Sequence, residues 1–333
     1  TGDDRRQLEK RGTRNAAAYD AYLQGRYFWS RFLHDSFSKS RESFQKAVDL
    51  DPEFALAYVG LADFYSWGTI YGIMPSSEAV PRVKELAERA LSIDPNLAEA
   101  HAALGLYFSN MRDWDRAEAQ YRKAIDINPN YPLSHEWLSS VLVGTGRIEE
   151  GVTELVEAER LDPLSLRPKV LSAWTLYQTR DFESAEKKAR ELLELAPDFM
   201  QSHLQLANIL LETGEVGAAL EHALMASELE PHSTIPLYSV CFAYARSGKS
   251  SEAVETITRW EKQAPYVPPY FLGLSYLAVG DRRPGYTYLR QALDENSPWA
   301  LWLSSEPKLD PFRDEPEYLE IVRMAGLPPH TTP

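Results

Sequence analysis

The chain has 333 residues, 44% of them hydrophobic and 11% aromatic, and a formal net charge of −14. That is enough apolar material for a continuous core. The acidic balance argues against a nucleic-acid scaffold, which would carry a basic stripe to neutralise phosphates. No run of about 18 apolar residues occurs, so no membrane-spanning helix is expected.

Taken in chain order, Thr1–Gly-Asp-Asp is followed by a polar stretch that reads as a lead-in over residues 1–20. There is no initiator Met and no signal peptide, so the expectation is a fragment of a longer protein. Gly25 and Phe28 then pair with Phe44, Ala47 and Pro52 as a first helical hairpin. The next unit, Ala55 to Pro95, carries nine extra residues within roughly Trp67–Pro81. That insert is expected to extend a helix or protrude at a rim, and to be dispensable for folding. From Pro95 onward, prolines recur every 34 residues at Pro129, Pro163, Pro197, Pro231 and Pro265. A fixed period of this length marks a helical repeat array.

Between the prolines, each unit repeats one pattern. Leu104-Gly105 and Phe108 share one face of a helix A, and Ala117, Tyr121 and Ala124 share one face of a helix B. Small residues such as Gly105 and Ala117 let the two backbones approach, and the proline ends helix B. Gly146, Gly214 and Gly248 fall between the helices, where a left-handed C-cap is expected. Cys241 stands in the Gly105 register and reads as a buried, inert thiol. After Pro265 the pattern restarts early with Leu272-Gly273 and Tyr276. About eight hairpins, residues 21–297, precede an apolar segment over 298–327 that reads as helical capping of the last unit around Leu272, Tyr276 and Leu289. Residues 328–333 read as a disordered tail.

The unit Ala98–Pro129 resembles the tetratricopeptide repeat, with His101 in place of the usual Trp. The resemblance covers about residues 15–298. It implies an all-α solenoid, a right-handed superhelix whose A helices line a concave groove. A narrower resemblance lies in Ala18-Tyr-Asp-Ala-Tyr-Leu-Gln-Gly-Arg-Tyr-Phe-Trp, in Ser297-Pro-Trp-Ala-Leu-Trp-Leu and in Leu309-Asp-Pro-Phe. These are similar to the C-terminal repeat region of bacterial multidomain signalling proteins, which join it to a winged-helix, Ser/Thr kinase or cyclase part, often through a TolB-like segment. The compartment, cytoplasmic or periplasmic, would then be set by that N-terminal part.

The resemblance places Trp174, Tyr177, Leu204, Asn208, Tyr238, Phe242 and Tyr270 on the groove, and these are the expected peptide-binding residues. The Lys/Asn/Arg clamp of chaperone-tail binders is absent, with Asn208 its only counterpart. His101, His135 and His203 occupy one register in three repeats. Successive repeats stack about 8–10 Å apart, too far for shared metal ligation. No phosphate loop, His-Glu-x-x-His or Gly-x-Ser-x-Gly occurs, so no catalytic residues, metal or cofactor are expected. The expected function is non-catalytic binding of a protein or peptide in the groove. The alternatives are self-association as a homodimer, and sensing of a small ligand.

Overall fold

A computed structural model describes residues 12–29 and 34–329. Residues 1–11 of the expected lead-in (1–20) and residues 330–333 of the expected tail (328–333) lie outside the described residues. Sixteen α-helices form eight antiparallel pairs: α1 Ala16–Trp29 with α2 His34–Leu50, α3 Ala55–Ile70 with α4 Ser76–Ile93, α5 Ala98–Asn110 with α6 Trp114–Ile127, α7 Pro132–Gly144 with α8 Ile148–Leu161, α9 Leu166–Gln178 with α10 Phe182–Leu195, α11 Met200–Thr213 with α12 Val216–Leu229, α13 Pro236–Arg246 with α14 Ser250–Gln263, and α15 Pro269–Ala278 with α16 Arg282–Asp294. Two 3-10 turns, Pro298–Trp302 and Pro307–Phe312, and a last helix, α17 Pro316–Met324, complete the chain. Among the described residues there is no β-strand, and no helix is long and apolar enough to cross a membrane. Helix α1 begins at Ala16, ahead of the expected boundary, because the Asn15 side chain accepts from the N–H groups of Ala17 and Ala18.

Local chemistry explains the repeat. Asp51, Asp94 and Asn128 precede their prolines because each side-chain oxygen accepts from the N–H two residues on, closing an Asx turn. B helices bury a narrow stripe, such as Ala219, Ala223 and Ala226 on α12. A helices are buried nearly all round, as in α11, and therefore form the inner layer. Close approach depends on missing side chains. A Cβ on Gly25 or on Gly60 would meet the same Phe44 ring, which wedges between α1 and α3, and a Cβ on Gly105 would collide with Tyr121. Cys241 is fully buried in that register, and burial pushes its thiol up to about 12.

The turn between the A and B helices takes a left-handed residue at intervals of 34: Arg112, Gly146, Arg180, Gly214 and Gly248. Three are the expected glycines. The two arginines hold a conformation that costs L-residues about 1–2 kcal/mol. Neither was expected, although both stand in the glycine register.

The insert extends helices, as expected, but it also packs inward. It lengthens α3 and α4, and its Trp67, Ala79 and Val80 are buried. Gly72 in its turn packs against Pro268 and Thr234, most of the array away. The solenoid thus curls until its third hairpin meets its end. Arg112 donates to the carbonyl of Leu293 at 2.8 Å and Trp114 Nε1 donates to that of Gly326 at 3.2 Å.

Candidate functional site

The concave face of the second half is occupied by the chain itself. After α16, Asn296 adopts a left-handed conformation, and the Ser297 side chain accepts from the Trp299 N–H. The chain then turns inward instead of simply ending the stack. The first 3-10 turn touches α3, α5, α7 and α16. A proline opens each short element, at Pro298, Pro307 and Pro316, so none needs a backbone donor there.

Aromatic side chains seat this segment. Trp299 packs between Phe271 (ring centroids 4.9 Å apart) and Tyr270 (6.2 Å, stacked), and meets Trp174 edge-on at 6.0 Å. Its Nε1 donates to the Ile70 carbonyl at 3.2 Å, tying α3 to the far side of the array. Trp302 meets Trp174 edge-on at 5.8 Å. Such pairs add about 0.5–1.5 kcal/mol beyond area burial. Leu301 rests on Gly144, where a Cβ would strike its side chain.

A buried charge cluster follows. Tyr177 Oη donates to Glu306 Oε1 at 2.6 Å and accepts from Lys308 Nζ at 2.7 Å. Lys308 is 2% exposed and lies among the rings of Tyr177, Tyr238 and Phe242, with Glu212 and Glu306 at 3.6 and 3.9 Å. Burial pulls the Lys308 pKa down, opposed by the two carboxylates. Burial also raises that of Tyr177, helped by the Glu306 charge. The left-handed Arg180 grips Asp310 through two nitrogens, at 3.1 and 2.6 Å. Helix α17 lies on the last hairpin, where Glu315 accepts from Arg282 and Tyr286.

All seven expected groove residues stand on A helices, and all seven are buried. Trp174, Tyr177, Tyr238, Phe242 and Tyr270 surround the C-terminal segment, so they do not form the open peptide surface expected of them. Asn208 donates to Tyr238 Oη at 2.6 Å and accepts from Ser239 at 2.8 Å, which uses its amide internally. Leu204 is core. Glu306, Lys308, Arg112 and Arg180 were not anticipated.

The three histidines repeat one structural device. In each, Nε2 faces the carbonyl of the proline six residues earlier (Pro95, Pro129, Pro197), and Nδ1 faces helix B at Gln120, Glu154 or His222. Each ring therefore ties a repeat turn to its own hairpin.

Two tetratricopeptide-repeat family models match the chain, at residues 98–131 and 170–233. The chain carries tetratricopeptide repeats. It is 22% identical over 300 residues to "Transcriptional regulator HilA" of Salmonella paratyphi A, covering 88% of this chain and 53% of that one. It is 23% identical over 208 residues to anaphase-promoting complex subunit 3 of Schizosaccharomyces pombe, covering 61% of this chain and 30% of that one. The chain thus spans about half the length of the curated bacterial relative it matches. In fold it is similar to the crystal structure of the APC/C hetero-tetramer Cut9-Hcn1, with a TM-score of 0.63 at 13% identity over 98% of this chain and 60% of that one.

Proposed function

We propose that this array is a protein-binding module of a bacterial signalling or transcription regulator, with its peptide groove held in cis by its own C-terminal segment. One observation carries the reading: residues 298–313 lie in the groove as a bound peptide would, with Trp299, Trp302, Glu306 and Lys308 each received by inner-face side chains. A partner segment of like chemistry, aromatic with one buried cation and one carboxylate, would compete for the same places. The likeness to a transcriptional regulator supports the regulatory setting.

The test cuts the chain at a protease site engineered after Asn296. The released fragment is expected to stay bound, and to exchange with a synthetic peptide of residues 297–313. The pair Trp174→Ala and Phe242→Ala should lose both. A fragment that leaves at once and never rebinds refutes the groove as a peptide site.

Self-association has one observation in its favour. Ile148, Val152 and Val156 form an i, i+4 stripe on α8 and are 42%, 39% and 62% exposed. Light-scattering mass of the Val156→Asp variant beside the parent chain tests it, a dimer becoming a monomer.

A further inference from the structure

Between the array and the C-terminal segment lies a cavity of ≈ 180 Å³. Trp67, Tyr71, Trp137 and Trp174 wall it from the array, and Trp299 and Trp302 wall it from the segment. Its lining is mostly apolar and is built from ring faces and edges. Three buried polar atoms of lining residues have no protein partner: the indole N–H of Trp174 and the Nε–H of Arg167, both donors, and the amide oxygen of Gln205, an acceptor. Buried polar groups without partners are uncommon and costly in native interiors. The charges present cancel. Arg167 pairs with Glu136 at 2.8 Å while its guanidinium lies 4.2 Å over Trp67. A cationic guest would find that ring face already covered by a cation, and the Glu136 carboxylate already neutralises Arg167 against an anionic guest, leaving its Nε–H as a donor to a neutral acceptor.

Size narrows the guest. An apolar cavity of about 150 Å³ holds a benzene ring. Ring-lined walls favour a planar guest in offset or edge contact. We propose that this cavity binds a neutral aromatic molecule of one or two rings bearing a hydrogen-bonding group, of the phenol or indole class. The guest's acceptor would meet Trp174 and its donor would meet Gln205. Because Trp299 and Trp302 form one wall, the guest would also hold the C-terminal segment in place. The site goes beyond the peptide reading and can fail separately, since its test needs no exchange of that segment.

The experiment is isothermal titration of indole, phenol and benzene into the intact chain and two variants. Ser140 lines the cavity, and its hydroxyl bonds only to the Glu136 carbonyl of its own helix. Ser140→Leu should fill the space, weakening indole at least tenfold. If that variant melts early, Val170→Phe on α9 provides a second block at another cavity-lining position. Gln205→Leu should weaken indole and phenol about tenfold while leaving benzene within about twofold, because only the polar guests lose a partner. Bound indole should also slow amide exchange across residues 298–303. The proposal is overturned if millimolar indole gives no saturable heat, or if both blocking variants bind it as the parent does.

Discussion

The contact between Tyr177 and Glu306 gives a quantitative handle on how firmly the groove is held. Tyr177→Phe removes a hydroxyl that bridges a carboxylate and an ammonium, and Glu306→Ala removes the carboxylate. Hydrogen bonds to charged groups contribute about 1.5–3 kcal/mol each, and an unpaired buried ion costs more. Tyr177→Phe should therefore raise the opening constant of residues 298–313 by roughly ten- to a hundredfold. Glu306→Ala should do at least as much, because Gln178 and the Lys308 N–H also point at that carboxylate. The two changes act on one bond, so the double variant should fall short of their sum by about 1.5–3 kcal/mol. Hydrogen exchange read by mass spectrometry on the segment amides measures each corner of the cycle. Simple additivity, within about 0.5 kcal/mol, would show that the segment is held by its tryptophans alone and that the charge cluster is incidental.

Three further outcomes are expected. Burial raises the Asp63 pKa to about 6, with Arg26 at 3.6 Å opposing the rise. The folded state then holds this proton more tightly than the unfolded one, so stability should fall as pH rises from about 4 to about 6, and Asp63→Asn should flatten that slope in urea melts. Gly105→Ala should cost about 1–3 kcal/mol by overpacking against Tyr121, seen as a lowered urea midpoint. Ending the chain at Ser297 should uncover Trp174, Tyr238, Phe242 and Tyr270 and give aggregates by dynamic light scattering, whereas removing 330–333 should change nothing.

The hairpins were legible because each is built from neighbours. The 34-residue period, the Asp-Pro turns and the small-residue registers at Gly105 and Ala117 all act within one unit or between adjacent ones. That the seven groove candidates stand on A helices was legible for the same reason. Their occupancy was not. Glu306 and Lys308 look like surface charges in sequence, and only contact with Tyr177, 129 and 131 positions earlier, turns them inward. The insert around Trp67 was legible as a helix extension, but its contacts were not, since Thr234 and Pro268 belong to a distant turn. Arg112 and Arg180 did leave a signal: each breaks a glycine register, and each reaches the C-terminal region with its side chain.

The Trp299 bond to Ile70 spans 229 positions and sets an order of events during synthesis. Hairpins can form as they emerge, since their contacts are local. The inward segment cannot seat until it has been made. Trp302 leaves the ribosome 128 residues after Trp174, a delay of roughly 6–25 seconds at about 5–20 residues per second. Through that interval the nascent chain carries a bare aromatic trough, open to any small aromatic molecule or peptide nearby, and the synthesis of residues 298–313 lets it close.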